Sequence, residues 1–441
     1  MPPAASAVAR SSPRATTATR WLLAGLWFAL ACGAAPGPDA GADAGGGADA
    51  AGPAPIARIT TLAGINGDQP GFADGPALGG AEFDMPEGLL LDAARQHLYV
   101  ADSGNHALRR LDLATMEVIT VAGIGTVRGS NDTTGQGATL VPARLNNPRN
   151  LVMAPGGDGL YFTDAGNHVI RHLDLITLEV TTVVGMAGQT GSTDGVGADA
   201  RFGADGLFAT WPGAMVIDED DPVGPTLYVA DSANQTLRAV DLSTRTVRTV
   251  AGQVGQLGAA DGPAAQATFN KPAGLALDGA GGLLVAEANN LTVRRLDLAS
   301  GQVTTVAGKA PADPRHYCEN ISPVLPPECG AIDAARGTDA RFRFPYALAP
   351  DHAGGVLLVD SHNNLIRRLD PRTTAVTSIA GVQATLLDDI PHGSADSDAA
   401  AGVAGTFWHP THAVAASATG DVLFVADRSA SCIRRVELGV R

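Results

Sequence analysis

One eight-residue segment constrains the fold more than any other feature, because the chain carries six copies of it. It reads Leu-Tyr-Val-Ala-Asp-Ser-Gly-Asn in its first copy, and the copies lie at 98–105, 160–167, 227–234, 283–290, 356–363 and 423–430. An acidic residue marks each copy, with spacings of 56 to 73 residues: Asp102, Asp164, Asp231, Glu287, Asp360 and Asp427. Such a period indicates a repeat architecture, in which one small unit buries its apolar face only against its neighbours.

Each repeat is predicted to be a meander of four strands, named a to d. In the first repeat these are 86–92, 98–102, 107–112 and 118–123, all rich in aliphatic or β-branched residues. The connections within a repeat are too short for a helical crossover, so the strands run antiparallel. Ser103-Gly104-Asn105 is expected to supply residues that tolerate positive φ in the turn between strands b and c. Six such sheets in series predict an all-β, six-bladed β-propeller.

The two ends of the chain complement each other. The last repeat ends after its strand c, at 432–437, whereas a segment with the sequence of strand d, at 59–64, precedes the first repeat. An open edge would be a site of unwanted pairing. We therefore predict that the N-terminal strand pairs with the C-terminal blade and closes the ring.

These motifs resemble NHL repeats in their bacterial secreted form. The resemblance is carried by Thr-Val-Ala-Gly at 120–123, Pro-Glu-Gly-Leu at 86–89, Leu-Tyr-Val-Ala-Asp at 98–102 and Ile-Arg-Arg-Leu-Asp at 366–370, and it covers nearly all of 56–441. It implies a six-bladed propeller that serves as a recognition platform. The inserts between strand d and the next strand a are longer here than in most NHL repeats.

The N-terminal region resembles an export signal followed by a tether. Residues 1–31 combine arginines without acidic residues and a short apolar run, as in a signal peptide. Ala29-Leu30-Ala31-Cys32 resembles a lipobox, which makes Cys32 a candidate lipidation site; ordinary cleavage near Ala31 or Ala35 is the alternative. Residues 32–55 are nearly all Gly, Ala, Pro and Asp and are predicted to form a disordered tether. We expect an exported protein, lipid-anchored to a bacterial membrane on the periplasmic or cell-surface side.

The net charge excludes one class of partner, and the positions of the cysteines indicate structural roles for them. The net charge of −15 excludes nucleic acid as a partner, because no basic face is evident. Cys318 and Cys329 lie in one long insert and are expected to form a disulfide in an exported chain, with a zinc site as the weaker reading. Cys432 is expected to be a small buried side chain in a strand.

The inserts and the b–c turns are expected to share one rim of the propeller. In an antiparallel meander both lie on the same face, and the inserts are 65–85, 124–147, 186–211, 253–271, 309–344 and 382–409. The acidic marker residues and the strand c arginines recur in every repeat, which favours structural cross-strand ion pairs over a ring of metal ligands. The recurring Asp-Gly and Phe of the inserts (Asp74, Asp261, Phe83, Phe269, Phe342 and Phe407) are expected to anchor the loops between blades.

Residues that differ between repeats are better candidates for function. At the entrance to strand a, beside the axial channel, the polar candidates are Glu87, Arg149, Asn150, Tyr346, Thr411 and His412, while the matching positions of two other blades hold Gly213 and Ala273. The alternative is that they are only solvated residues of the channel. In Trp-His-Pro-Thr-His, at 408–412, the two histidines should face opposite sides of a strand, so no metal site is predicted there.

The sequence is consistent with two functions. The first is a non-enzymatic scaffold at the cell envelope that binds a protein, peptide or glycan through the insert-bearing face, without a cofactor. The alternative is a metal-dependent hydrolase or lyase with its site in the axial channel. Strand a is mostly small and apolar, so it offers few metal ligands, and no Gly-x-Ser-x-Gly motif occurs.

Overall fold

The computed structural model describes most of the region that contains the repeats. The described residues are 57–65, 70–135, 141–204, 213–315, 328–382, 395–397 and 405–439. The predicted signal peptide and tether, with Cys32, lie outside them. So does Cys318, so the disulfide with Cys329 stays a prediction.

The described residues form six antiparallel sheets, as the repeats predict. In blade 1, strands a to d are Pro86–Leu91, His97–Asp102, Ala107–Asp112 and Glu117–Ala122. In blade 2 they are Pro148–Met153, Gly159–Asp164, Val169–Asp174 and Val180–Val184. In blade 3 they are Met215–Asp218, Thr226–Asp231, Thr236–Asp241 and Thr246–Ala251. In blade 4 they are Pro272–Leu277, Gly282–Glu287, Thr292–Asp297 and Gln302–Gly308. In blade 5 they are Pro345–Pro350, Val356–Asp360, Leu365–Leu369 and Val376–Gly381. In blade 6 they are Pro410–Ala415, Val422–Asp427, Cys432–Glu437 and Arg58–Ala63. The fold is therefore a six-bladed β-propeller of four-stranded blades.

The last blade takes its strand d from the beginning of the chain. Arg58–Ala63 pairs antiparallel with Cys432–Glu437, with Ile59 opposite Val436. The Ile59 side chain is 1% exposed and packs in the core between blades 5 and 6. Aliphatic burial thus adds to the main-chain hydrogen bonds that join the two ends of the propeller.

The apolar core lies between neighbouring blades. Each of six clusters combines side chains from two adjacent sheets, so no blade has a core of its own. The predicted anchors Phe83, Phe269, Phe342 and Phe407 are all buried there. Cys432 is buried in its strand, as expected.

The inserts add short elements that the repeats do not predict. Gly75–Pro76, Gly195–Val196 and Gly262–Pro263 each pair with strand d of their own blade and cover its outer edge. Four single-turn 3-10 helices occur in the described residues: Ala165–Asn167, Gly197–Asp199, Gly337–Asp339 and Ser361–Asn363. No helix in these parts of the chain has the length and apolarity needed to cross a membrane.

The prediction for the b–c turn was wrong by one residue. The positive φ falls on His106, directly after Asn105, and on the matching residue of every other blade, at 52° to 60°. Gly104 is required for a different reason, since a Cβ there would lie 2.4 Å from the carboxyl group of Asp84. The turn is therefore packed against the insert rather than exposed.

Candidate functional site

The repeated acidic and basic residues are buried in all six blades, and in blades 1 to 5 they form an ion pair, as the sequence predicts. Arg109 is fully buried, and its Nη1 lies 2.8 Å from Oδ2 of Asp102. The matching distances in blades 2 to 5 are 2.9, 2.9, 3.0 and 3.1 Å. Burial raises the pKa of Asp102 to about 6, although the charge of Arg109 and several hydrogen bonds oppose this shift.

All six arginines also pair with a carboxylate of the insert. Nη2 of Arg109 lies 2.7 Å from Asp74, and the matching residues Asp132, Asp194, Asp261, Asp333 and Asp396 lie 2.6 to 2.9 Å from their arginines. Asp74 also accepts hydrogen bonds from the backbone and hydroxyl of Thr120 in strand d. The insert is thus tied to strands c and d of its blade.

The repeated asparagine connects the same cluster to the insert backbone. Nδ2 of Asn105 donates to Asp102 at 2.9 Å and to the carbonyl of Gly71 at 2.7 Å. Asn167, Asn234, Asn290 and Asn363 repeat both bonds, each with a glycine carbonyl 2.7 Å away. The repeated residues therefore hold the inserts on the rim that carries the b–c turns.

A second group of charged residues lies at the mouth of the axial channel on this rim, and it is not repeated. Glu87 is 5% exposed, and its carboxylate lies 3.3 Å from Nε of Arg149 and 3.3 Å from Nε of Arg428. The Tyr346 hydroxyl donates to Glu87 at 3.4 Å and accepts from Nη1 of Arg149 at 3.1 Å. Burial and the neighbouring carboxylate raise the pKa of Tyr346, which keeps this donor protonated. Side chains from blades 1, 2, 5 and 6 thus meet over the channel.

A column of rings stands beside this network. The Phe344 ring stacks on His362, with centroids 4.4 Å apart, and on Tyr346, with centroids 5.8 Å apart. Nζ of Lys271 lies 4.5 Å from the Phe344 centroid, which is a cation–π contact. His409 lies next to His362, with centroids 5.4 Å apart.

Both histidines of this column are neutral near pH 7. Burial lowers the pKa of His362 to about 3, and the nearby cations Arg343 and Lys271, together with His409 when it is protonated, lower it further. Burial and the charges of Arg428 and Arg343 also lower the pKa of His409. The column can therefore donate and accept hydrogen bonds without adding charge to the mouth.

The six residues predicted from the sequence occupy two levels of the channel. Glu87, Arg149, Tyr346 and Thr411 line the mouth, in a cavity of about 350 Å³. Asn150 and His412 lie one level deeper, in a constriction of about 60 Å³. Beyond it, the channel widens again toward the opposite face into a mainly aliphatic cavity of about 350 Å³.

Two of the predicted residues bond to the backbone of a neighbouring blade. The Thr411 hydroxyl donates to the backbone carbonyls of Pro86 and Glu87, at 3.3 and 3.1 Å. Oδ1 of Asn150 accepts from the backbone N–H of Met215 at 2.9 Å. Burial lowers the pKa of His412 to about 4, so this residue is neutral in the constriction.

The sequence reasoning did not assign Lys271, Phe344, His362 and Arg428 to the mouth. Lys271, Phe344 and His409 precede the first proline of a strand a, with φ of 55° to 67°. Arg428 follows the acidic marker, where the other blades carry Ser103, Ala165, Ser232, Ala288 and Ser361. These two positions differ between the repeats and so mark Lys271, Phe344 and Arg428, whereas His362 occupies a third position, that of Gly104 in blade 1.

The described residues contain no group of three or more His, Cys, Asp or Glu side chains that could hold a metal ion. His409 faces the mouth and His412 the deeper constriction, so the two histidines of Trp-His-Pro-Thr-His point to different levels. This is the separation that the strand periodicity predicts.

Known proteins match the chain over the propeller. The Teneurin NHL domain family matches residues 87–370. The chain is 29% identical over 317 residues to SUPPRESSOR OF QUENCHING 1, a chloroplastic protein of Arabidopsis thaliana, and the match covers 70% of this chain and 27% of that protein. It is 26% identical over 332 residues to NHL repeat-containing protein 2 of Homo sapiens, covering 71% and 42%. The chain thus spans less than half the length of these two relatives.

A solved structure has a similar fold. An auxiliary nutrient binding protein from Bacteroides thetaiotaomicron aligns with a TM-score of 0.57 at 16% identity, covering 88% of this chain and 77% of that one. At this level of identity the likeness concerns the fold.

Proposed function

Because the chain belongs to the NHL repeat family, we propose that it is a binding scaffold without catalytic activity and that it binds its ligand on the insert-bearing face. The observation that carries this proposal is the mouth of the axial channel. There Glu87, Arg149, Tyr346 and Arg428 form a polar network that is not repeated elsewhere among the described residues of the ring. A feature that six blades share is explained by what each blade needs, whereas a feature present once is not.

The geometry of this face favours recognition. The mouth is a concave site of about 350 Å³ with convergent polar groups and rings, which is typical of a small ligand pocket. The ion pairs of Asp74 and its equivalents with buried arginines hold the described parts of the surrounding inserts in place, so these parts of the rim are preorganised. The ligand would be a protein, peptide or glycan that presents a small group to the mouth.

The cell envelope is the proposed location. Residues 1–31 have the composition of an export signal, and Cys32 follows a lipobox-like segment. A lipid on Cys32 and the tether 33–55 would place the propeller at a distance from the membrane. The membrane would then be contacted only through the anchor.

Capture from a cell-envelope extract tests the proposal. Full-length protein carrying an affinity tag would be compared with Tyr346→Ala, which removes a hydroxyl and a ring from the mouth. The matched control is His352→Ala, a ring removed from the opposite face, where His352 is exposed. We expect Tyr346→Ala to lose the captured ligand and His352→Ala to retain it.

Two results would overturn the proposal. If both variants capture the ligand equally, the binding site lies away from the mouth. If purified protein contains a stoichiometric divalent metal by elemental analysis and turns over a substrate in proportion to it, the scaffold function is wrong.

A further inference from the structure

The described residues that line the channel mouth carry a net positive charge, in a protein whose net charge is −15. The described residues that line it include three cationic side chains, Arg149, Lys271 and Arg428, and a single carboxylate, Glu87. The formal charge of these lining groups is therefore positive. A concave site with low-dielectric walls concentrates such a potential and attracts anions.

The charge ratio at the mouth is the reverse of the ratio in the blades. Arg109 has two carboxylates within 2.8 Å, those of Asp102 and Asp74. At the mouth, by contrast, two arginines share the carboxylate of Glu87. Among the described residues that line the mouth, cationic side chains outnumber carboxylates, whereas in a blade cluster two carboxylates surround one arginine.

The aromatic rings at the mouth place a second requirement on the ligand. Phe344, Tyr346 and His362 are half-buried and line the same cavity as the cations. The edge of an aromatic ring carries partial positive charge, so it also favours a carboxylate and packs against the body of a cyclic ligand. Simple inorganic anions would use the cations but not the rings.

We propose that the mouth binds an organic anion in which a carboxylate is attached to a six-membered ring. The proposal rests on the binding function given above and names the chemical class of the ligand. An acidic sugar residue of a glycan and an aromatic carboxylate share this chemistry. A cavity of about 350 Å³ has room for one such ring.

Calorimetric titration of the full-length protein tests the ligand class. The probes are D-glucuronate and benzoate, each paired with a neutral analogue, D-glucose and benzyl alcohol. We expect at least one carboxylate to bind and its neutral analogue to bind at least about tenfold more weakly, because a charge-assisted contact is lost. The two carboxylates distinguish a sugar source from an aromatic source.

The lysine content provides a matched pair of variants. The chain has only two lysines, Lys271 at the mouth and Lys309 on an insert, where Lys309 lies 3.7 Å from Glu328. Lys271→Gln should weaken carboxylate binding about three- to thirtyfold, the range of one desolvated cation contact. Lys309→Gln should leave it unchanged. Mass spectrometry after amine acetylation gives an independent reading, since bound ligand should protect Lys271 and not Lys309.

The outcomes separate this proposal from the function on which it rests. Equal binding of carboxylates and neutral analogues with protection of Lys271 would overturn the anion class and leave the mouth as a binding site. Absence of carboxylate binding up to about 10 mM would also overturn it. An envelope ligand whose capture is unaffected by Tyr346→Ala would overturn the proposed function itself.

Discussion

The blade clusters and the channel mouth use the same chemistry in opposite ways. In a blade, Arg238 is completely buried and lies 2.9 Å from Asp231 and 2.7 Å from Asp194. At the mouth, Arg149 and Arg428 are 24% and 36% exposed and share Glu87. Removing one partner of a fully buried ion pair is strongly destabilising, whereas water stabilises part of the charge of a partly exposed side chain. Carboxylate–arginine pairs therefore mark structure in the first region and a candidate ligand site in the second.

The largest expected effect concerns the stability of the blades and follows from deleting the N-terminal strand. Deletion of residues 57–64 takes away Ile59 and Leu62, both buried, and exposes the edge of Cys432–Glu437. Loss of burial of these two side chains costs roughly 3–6 kcal/mol, at about 1.5–3 kcal/mol each, which is comparable to the lower end of the stability of a whole domain. We expect an aggregated or unfolded product in a solubility and thermal melting assay. Deletion of eight residues from the predicted tether, 44–51, is the control; a soluble, cooperatively melting 57–64 deletion would contradict the prediction.

A single buried arginine should have the next largest effect. Arg238→Met leaves the carboxylate of Asp231 buried without its cation, which should cost about 3–5 kcal/mol of unfolding free energy. Arg248→Met makes the same chemical change at an exposed site on the neighbouring strand and should change stability by less than about 0.5 kcal/mol. Urea denaturation of both variants measures the difference. Similar midpoints for the two would show that the blade clusters are not essential.

The mouth histidines should affect the pH dependence of stability. The pKa of His362 is lowered to about 3 in the folded protein, below the value of about 6.5 expected in the unfolded chain. As the pH falls from 6.5 toward 3, the unfolded chain therefore takes up a proton that the folded protein does not, and stability is lost.

His362→Gln should reduce this loss by on the order of 1 kcal/mol between pH 7 and pH 5. Unfolding midpoints measured across this range give the slope. His352→Gln, on the opposite face, controls for the loss of a histidine. An unchanged slope in His362→Gln would mean that His362 is solvated and titrates normally.

Removal of the Glu87 carboxylate should have the smallest effect on stability. It distinguishes the channel mouth from the blade clusters most clearly, because it should also change ligand binding. Glu87→Gln keeps the shape of the side chain and removes a nearly buried charge, while the two arginines left behind are 24% and 36% exposed and stay hydrated, so we expect the unfolding free energy to change by less than about 1 kcal/mol. Carboxylate binding should become several-fold tighter because the mouth gains positive charge. Glu117→Gln, an exposed residue of an outer strand, is the control. Weaker carboxylate binding in Glu87→Gln would show that Glu87 itself contacts the ligand.

The structural cluster could be predicted from the sequence in part. Asp102, Arg109 and their equivalents recur at fixed spacing, so a pair on adjacent strands follows from the register. The second partner, Asp74, could be identified only as a loop anchor, because an insert has no periodicity that fixes where its side chains point.

The mouth was predicted less completely, for a related reason. Glu87, Arg149 and Tyr346 occupy one repeat position and could be compared blade by blade. Lys271 and Phe344 lie before a strand, and His362 and Arg428 lie in b–c turns, so three separate positions of the repeat converge at the same place.

The sequence by itself determined the number of blades, the strands of each blade and the residues that pair within it, because these depend on local periodicity and short turns. Only the tertiary structure decided which unrepeated side chains meet. Glu87 and Arg428 are 341 residues apart in the chain, yet their side chains lie 3.3 Å apart. Their contact arises because the pairing of Arg58–Ala63 with the last blade places blade 1 next to blade 6, and a distance set by ring closure leaves no periodic signal in the sequence.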